Sequence, residues 1–501
     1  MYFWACYIWL IKFTSSLINS GCWLFYWWIS NDIFNYASSF LKMKFLFATF
    51  LFLGFSLLVN ANGFSVNDPS EIDTVKNAKS FFAEGKVNGH LRNYFMSTIN
   101  HKELTDHYAN AIGFELAYET AKVKGFSLGI AGLFTFNTFS SALDKLDTVT
   151  NKTARLETEL FDIEDPANKS DLDRLDELFL KYEHEKFDLL IGRFTFDSPL
   201  VNSQDGRMKP YSLQGLNANF NLSNSSKLKL GVFNNFSPRG TVKWYNINEV
   251  LGIYSTGNNP DGTVSGYKEE VHSKALFIAG IEKNIANHLK IEVWDYLLDH
   301  VVNTIYLKSE LMISNSFDLG LEVQKQNQMN NGGNDELSKT YFAQNHSFLY
   351  GSKIGFHKDN LELSLNYLKI TDEGRFLFPR EFGREQFFVT VPRGRIEGLS
   401  NTSVLMFKSK FHFNKQWELD LDLGEGWLPS YNNFEQNKYS ASSYHNAVLN
   451  LVYTPKTKLL DGFNFKLLYV SKQGSKENIP LANQYYNINY HNINFITQLN
   501  F

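Results

Sequence analysis

Residues Gly125 to Asn137 read GFSLGIAGLFTFN, and their period decides the fold. Phe126, Leu128, Ile130, Phe134 and Phe136 occupy one phase of a two-residue alternation, while Ser127, Gly129, Ala131 and Thr135 occupy the other. Successive side chains of a strand point to opposite faces, so the segment has one apolar face and one small or polar face. The pattern recurs on both sides. Lys86 to Met96 precedes it, as does Tyr108 to Glu119, where Ile112, Phe114, Leu116 and Tyr118 oppose Gly113, Glu115, Ala117 and Glu119. Further segments lie near 174–184, 187–194, 213–221, 227–236, 272–283, 288–298, 303–313, 317–326, 347–357, 360–370, 402–413, 417–426, 441–454, 462–471 and 487–501, which makes eighteen predicted strands.

The connections alternate in size. Short ones contain Thr120–Lys124, Glu183–Lys186, Leu222–Ser226, Asn284–Asn287, Ser314–Ser316, Lys358–Asn360 and Asn414–Gln416; longer ones lie near 138–173, 195–212, 237–271, 327–346, 371–401 and 472–486. A strand meander with tight turns at one end and long loops at the other fits an antiparallel barrel spanning an outer membrane, with periplasmic turns and extracellular loops. A soluble β-sandwich also alternates, but nothing in its packing imposes a one-sided rule on loop length. Phe95, Tyr118, Phe134, Phe136, Tyr182, Tyr367, Tyr453 and Tyr469 fall toward strand ends, where a lipid-facing girdle needs them. The chain finishes inside its last segment: Ile493, Phe495, Thr497, Leu499 and Phe501 share one face, and a closed barrel must pair its last strand with its first. The expected fold class is therefore all-β, a transmembrane antiparallel β-barrel of 18 strands.

Composition agrees. Hydrophobic residues make up 44% of the 501-residue chain and aromatics 16%, with no uniform apolar 20-mer in the body. A formal charge of -4 gives no electrostatic case for nucleic acid as a partner. Met43 to Ala61, MKFLFATFLFLGFSLLVNA, has a positive Lys44, an apolar run and a small residue at the cut, and reads as a signal peptide. Residues 1–42, with Trp4, Trp9, Trp23, Trp27 and Trp28, read as a misassigned upstream start or an extension, which leaves 62–501 as one barrel domain. Both cysteines, Cys6 and Cys22, lie ahead of the predicted cut, which excludes thiol chemistry from the mature chain.

No catalytic constellation stands out. The twelve histidines are scattered, and there is no zinc-binding pair, phosphate-cradling loop or serine elbow. No cofactor, metal or catalytic residue is expected. In a barrel, chemistry belongs to inward side chains and folded-in loops. DSPLVNSQDGRMKPY, Asp197 to Tyr211, carries both charge signs between Pro199 and Pro210, and its Asp205, Arg207 and Lys209 are the candidate channel constriction. The bland reading is a solvated charged turn. A second stretch, Gly374 to Gly398, sets Arg375, Arg380, Arg384, Arg393 and Arg395 against Glu381, Glu385 and Glu397 among five phenylalanines. Arginine forks match carboxylates, so guanidiniums on the bore would guide a small acid; local Arg–Glu pairing that stiffens the loop is the competing reading. Candidate lumen residues on the strands are His90, Arg92, Lys227 and Lys229, with Lys290 and Glu292 alongside. Arg193 joins them only if the register breaks at Gly192, because it shares a phase with Phe187, Leu189 and Ile191.

FDSPLVNSQDGRMKPYSLQG from Phe196 to Gly215, and FPREFGREQFF from Phe378 to Phe388 followed by VPRGRIEG, resemble the OprD-type outer-membrane porins. The resemblance runs from Gly85 through Phe501, and the third-loop set Asn202, Asp205, Arg207, Met208 and Pro210 is its most specific part. It implies an eighteen-strand barrel narrowed by its third and seventh loops, and passive uptake of amino acids, peptides or organic acids along a basic strip. By that resemblance Asp205, Arg207 and Lys209 take the constriction role, and Arg380, Arg384 and Arg393 a substrate-contact role. The chain departs from a strongly basic member: the mature part holds 45 Lys and Arg against 51 Asp and Glu. Expected partners are outer-membrane lipid and small solutes, with a homo-oligomer and a monomer equally open. The competing function is a surface adhesin or receptor with a plugged lumen.

Overall fold

The computed structural model describes residues 78–286, 288–475 and 478–501. The expected upstream extension 1–42 and the expected signal peptide 43–61 lie outside the described residues. A short helix, α1 (Ala78–Ala83), leads into eighteen long strands. They are β1 (Lys86–Ile99), β2 (His107–Glu119), β3 (Phe126–Ser140), β4 (Arg174–His184), β5 (Phe187–Phe194) and β6 (Ser212–Ser223). The middle third comprises β7 (Ser226–Ser237), β8 (Leu276–Ile285), β9 (Leu289–Leu298), β10 (Val302–Met312), β11 (Phe317–Gln328) and β12 (His346–Lys358). The last is β13 (Leu361–Ile370), β14 (Thr402–His412), β15 (Trp417–Trp427), β16 (Tyr444–Tyr453), β17 (Phe463–Gly474) and β18 (Tyr490–Asn500).

Each strand pairs antiparallel with its sequence neighbours, and β1 pairs with β18 from His90↔Asn500 to Ile99↔His491. The last residue completes the seam, because Phe501 and Gly89 exchange both backbone hydrogen bonds at 3.0 Å. Closure leaves no strand edge in the hydrocarbon, where an unpaired amide costs several kcal/mol at about that order.

The phase of each strand sorts its side chains. On β1, His90, Arg92, Tyr94, Met96 and Thr98 point to the lumen, and Leu91, Phe95 and Ile99 to the outside. On β3, Phe126, Leu128 and Phe136 are exposed outward while Ser127, Ala131 and Thr135 are buried inward. At the short-turn end, outward rings line up across neighbouring strands: Phe126 with Tyr182 at 4.7 Å, Tyr182 with Phe187 at 5.8 Å and Phe187 with Phe220 at 5.9 Å. Trp417, Tyr453 and Phe465 continue the belt on β15–β17. All eight aromatic positions read as girdle residues occupy the outward phase of their strands.

Three predicted strand starts move by three residues or more. β8 begins at Leu276 rather than 272, because the His272 amide donates to Gly333 and that of Ser273 to the Asn248 side chain, which takes both out of the ladder. β16 begins at Tyr444 rather than 441, where the Ala441 amide is claimed by Asn437. β18 begins at Tyr490 rather than 487, since Asn487 and Ile488 close a turn onto Gln484.

The long loops are folded into the barrel. Loops 195–211, 238–275 and 371–401 (L3, L4 and L7) bury Phe196, Val201, Val250, Phe376, Phe382 and Val389 against Trp294, Tyr296, Tyr306 and Val404 of the inner wall. Loop 141–173 (L2) buries Leu156, Leu160 and Phe161 in a second cluster with Tyr94, Met96 and Met208. The main apolar core thus sits inside the barrel, between loops and wall.

Candidate channel constriction

L3 is seated at its tip and along its flanks. The Arg92 guanidinium on β1 donates to both oxygens of Asp205, at 2.6 and 2.7 Å, and to Gln498 of β18. It also reaches the Arg207 carbonyl. Asp205 keeps a 41% exposed side chain, so this bidentate pair stands at the solvent-accessible edge of L3, on the lumenal side of β1. Arg207 turns the other way: it is buried, donates to the Tyr94 hydroxyl at 3.1 Å and lies 3.5 Å from Glu159. Lys209 sits behind the loop, fully buried, with its ammonium on the carbonyls of Phe161 at 3.0 Å and Leu172 at 3.3 Å. Burial, with Arg174 nearby, pushes it down to about 7. The three constriction candidates therefore lie in three settings, at the solvent-accessible edge, against the wall and behind the loop.

L7 clasps L3 through Asn202. Its side chain donates to the Arg384 carbonyl at 2.7 Å and accepts from the Arg384 amide at 3.2 Å, while its own amide donates to Phe382. Gly383 makes this approach possible. Its φ is +143°, and a Cβ there would stand 2.7 Å from the Asn202 nitrogen. The arginines of L7 divide into two kinds. Arg380 pairs with Glu397 at 2.5 Å and stacks 3.6 Å from the Tyr439 ring, and Arg395 approaches Glu385 at 3.8 Å. Arg393 donates instead to Asn492 and Asn494 on β18, and Arg384 to the Val391 carbonyl. Neither has a carboxylate within ion-pair distance among the described residues. Burial lowers both to about 10, which leaves them charged at neutral pH.

Two further loops complete the ring. Glu159 of L2 accepts from Arg239 of L4 at 2.7 Å. Burial alone would raise its carboxyl, yet Arg239, Arg207, Arg393 and Arg155 hold it at about 2. Arg155 is exposed. Four loops thus bring guanidiniums around one carboxylate. Arg155, Glu159 and Arg239 escape the sequence reading, since L2 and L4 look like ordinary polar loops. The signal available was the apolar set Leu156, Leu160 and Phe161, which has no place on a loop that stays in solvent.

A family model for the outer membrane porins of the OprD family matches residues 79–414. The chain belongs to the OprD family of outer membrane porins. Solved structures agree on the fold. Pseudomonas aeruginosa OccK9 (OpdG) superposes with a TM-score of 0.65 at 12% identity, covering 84% of this chain and 100% of that one. Acinetobacter baumannii OccAB4 gives 0.63 at 16%, covering 83% and 98%, and a P. aeruginosa OpdK structure with vanillate gives 0.63 at 15%, with the same coverage. No curated protein matches the chain. As an OprD-family porin of a Gram-negative outer membrane, it places its short turns in the periplasm and its long loops outside.

The wall of this porin carries the remaining candidates. His90 and Arg92 share the lumenal phase, and His90 lies 3.8 Å from Glu115. Lys227 and Lys229 are also inward, the latter 3.0 Å from Glu282 and over the Trp294 ring. Lys290 pairs with Glu292, Lys308 with Glu310, Lys353 with Asp318 and Lys410 with Glu418. From β7 to β15, then, the lumenal lysines are interleaved with acids rather than forming a bare basic strip. Arg193 is a correction. It pairs with Leu178 and Gln214 in the phase of Ile191 and Leu216, with no register break at Gly192, so it faces outward and not into the lumen.

Proposed function

We propose that this porin passes small organic anions, selected where L2, L3, L4 and L7 meet. The reading rests on one observation: Glu159 is the shared partner of Arg207 and Arg239, while Arg384 and Arg393 have no carboxylate within ion-pair distance among the described residues. A cluster with surplus guanidinium charge in a confined, partly dehydrated passage attracts carboxylates and disfavours cations. Vanillate, an aromatic carboxylate, accompanies the OpdK structure, and a solute of that chemistry matches the cluster in charge and in its neighbouring rings Tyr94 and Tyr490. Asp205, Arg207 and Lys209 act together in this reading: Asp205 at the bore, Arg207 bracing it and Lys209 anchoring the loop. Arg384 and Arg393 touch the solute; Arg380, tied to Glu397, shapes the loop that holds them.

The protein is proposed to act as a channel, with neither turnover nor a bound cofactor. Cleavage after Ala61 would give a mature chain of 62–501 forming one barrel domain. Each barrel closes within one chain, so a monomer and a homo-oligomer would both conduct.

Single-channel recording of the mature chain in a planar bilayer, with reversal potential under a potassium chloride gradient, tests the reading. Anion-leaning reversal is the expected result, with a shift toward cations in R384Q/R393Q. A cation-leaning wild type would remove the carboxylate-guiding role, and a folded barrel that never opens would favour a surface receptor with a plugged lumen.

A further inference from the structure

The outward placement of Arg193 points to a site unrelated to transport. A groove of about 670 Å³ opens on the outer wall where β4 to β7 meet the strand-proximal end of L4. Its floor is made of lipid-facing side chains, Leu178, Ile191, Leu216 and Val232, each at least 40% exposed. Arg193, Gln214, Asn234 and Lys274 stand on its borders. All four are at the extracellular ends of their strands or just beyond: Arg193 is the second-last residue of β5, and Lys274 lies two residues before β8.

The polar groups are arranged rather than scattered. The Arg193 Nε donates to Gln214 at 2.9 Å, and its guanidinium lies 4.6 Å from the Trp244 ring centroid. Trp244 is itself held, since its indole N–H donates to the Leu175 carbonyl at 2.9 Å. Those contacts use one donor and one face of the guanidinium, leaving its terminal nitrogens for an external acceptor. No acidic side chain lines the groove, and among the described residues no carboxylate forms an ion pair with the Arg193 or Lys274 side chain; Lys274 meets Asp299 only through its backbone amide, at 3.3 Å. A bare cation on the lipid face of a barrel is costly, by about 2–4 kcal/mol at the midplane and much less near the headgroups. An anionic headgroup beside it removes that cost and supplies the missing acceptor.

We propose that this groove binds a phosphorylated lipid of the outer leaflet, with phosphate on Arg193 and Lys274 and an acyl chain along Leu178, Ile191, Leu216 and Val232. Charge complementarity selects the occupant: two cations and an amide above an apolar trough match a phosphate above a hydrocarbon chain. A free anion would leave the trough wet, and a second barrel would need an acid to meet Arg193.

The protein purified in detergent from outer membranes and delipidated would be titrated with bisphosphorylated lipid A, and the complexes counted by native mass spectrometry. One lipid is expected to be retained, and R193Q/K274Q should bind it about thirtyfold more weakly, in line with roughly 1 kcal/mol for each of the two cations near a charged membrane surface. R193K should keep most of the affinity, and conductance should be unchanged in all variants because the groove lies outside the lumen. If the double variant fails to fold, K274Q alone gives the same readout from outside the ladder. Equal binding by a folded variant, equal binding of lipid A stripped of its phosphates, retention of inorganic phosphate in place of lipid, or a mass of two chains lost on R193Q would each overturn the proposal.

Discussion

At the scale of single residues, Lys209 and Gly383 make the sharpest demands. Lys209 is buried on two carbonyls, and burial brings its folded pKa to about 7, below the usual 10.5. Between those values the unfolded chain holds a proton that the folded chain lacks, so this residue makes stability rise with pH from about 7 upward; below 7 the penalty is constant. Thermal unfolding in detergent at pH 7 and pH 10 should show that gain in the wild type and a smaller one in K209M. An unchanged pH slope in K209M would show that Lys209 does not carry it. Gly383 occupies a backbone region that a Cβ disfavours, with Asn202 directly against it. Gly383→Ala should cost about 1–3 kcal/mol and release the L3–L7 clasp. Faster proteolysis at 383–395 with the barrel intact is the observation to seek.

At the scale of elements, L3 is a loop held as firmly as a strand. Arg92, Arg174 and Asn202 fasten it at three points: Arg92 to Asp205, Arg174 to the Pro210 carbonyl at 2.6 Å, and Asn202 to L7. Arg92→Leu removes the first, at about 1–2 kcal/mol after discounting for the exposed Asp205 carboxylate. The freed carboxylate then stands alone on the lumenal side of β1. Single-channel records of R92L should show a noisier, larger conductance with weaker anion preference; an unchanged trace would mean that the pair does not border the passage. The alternating loop lengths were readable because turns of two or three residues leave little choice of connection. The inward folding of L2 and L4 was not, since a polar loop with a few apolar residues looks the same whether its contacts lie inside a barrel or nowhere.

At the scale of the whole molecule, the barrel depends on its seam. Ten residue pairs from His90↔Asn500 to Ile99↔His491 join β1 to β18, and Phe501 locks onto Gly89. Deleting 490–501 exposes two strand edges to lipid, which hydrocarbon does not tolerate. The truncated chain should lose the gel-mobility shift between heated and unheated samples that marks a folded barrel. Persistence of that shift would show that β17 re-pairs with β1.

What the sequence determined by itself was the wall. Alternation such as that of Gly125–Asn137 follows from the two-residue period of a strand between lipid and lumen, so strand number, side-chain phase and the lumenal setting of His90, Arg92, Lys227 and Lys229 were legible locally. Even the doubt over Arg193 was legible, because Phe187, Leu189 and Ile191 share its phase. The tertiary structure alone decided which loop charges meet. Arg155, Glu159, Arg207, Arg239 and Arg393 come from four loops far apart in the chain, and neither period nor spacing relates them. Their convergence follows from where each loop buries its apolar residues inside the barrel. That is also why Lys209, two residues from Arg207 and of the same charge, lies behind the loop while Asp205 stays solvent-accessible.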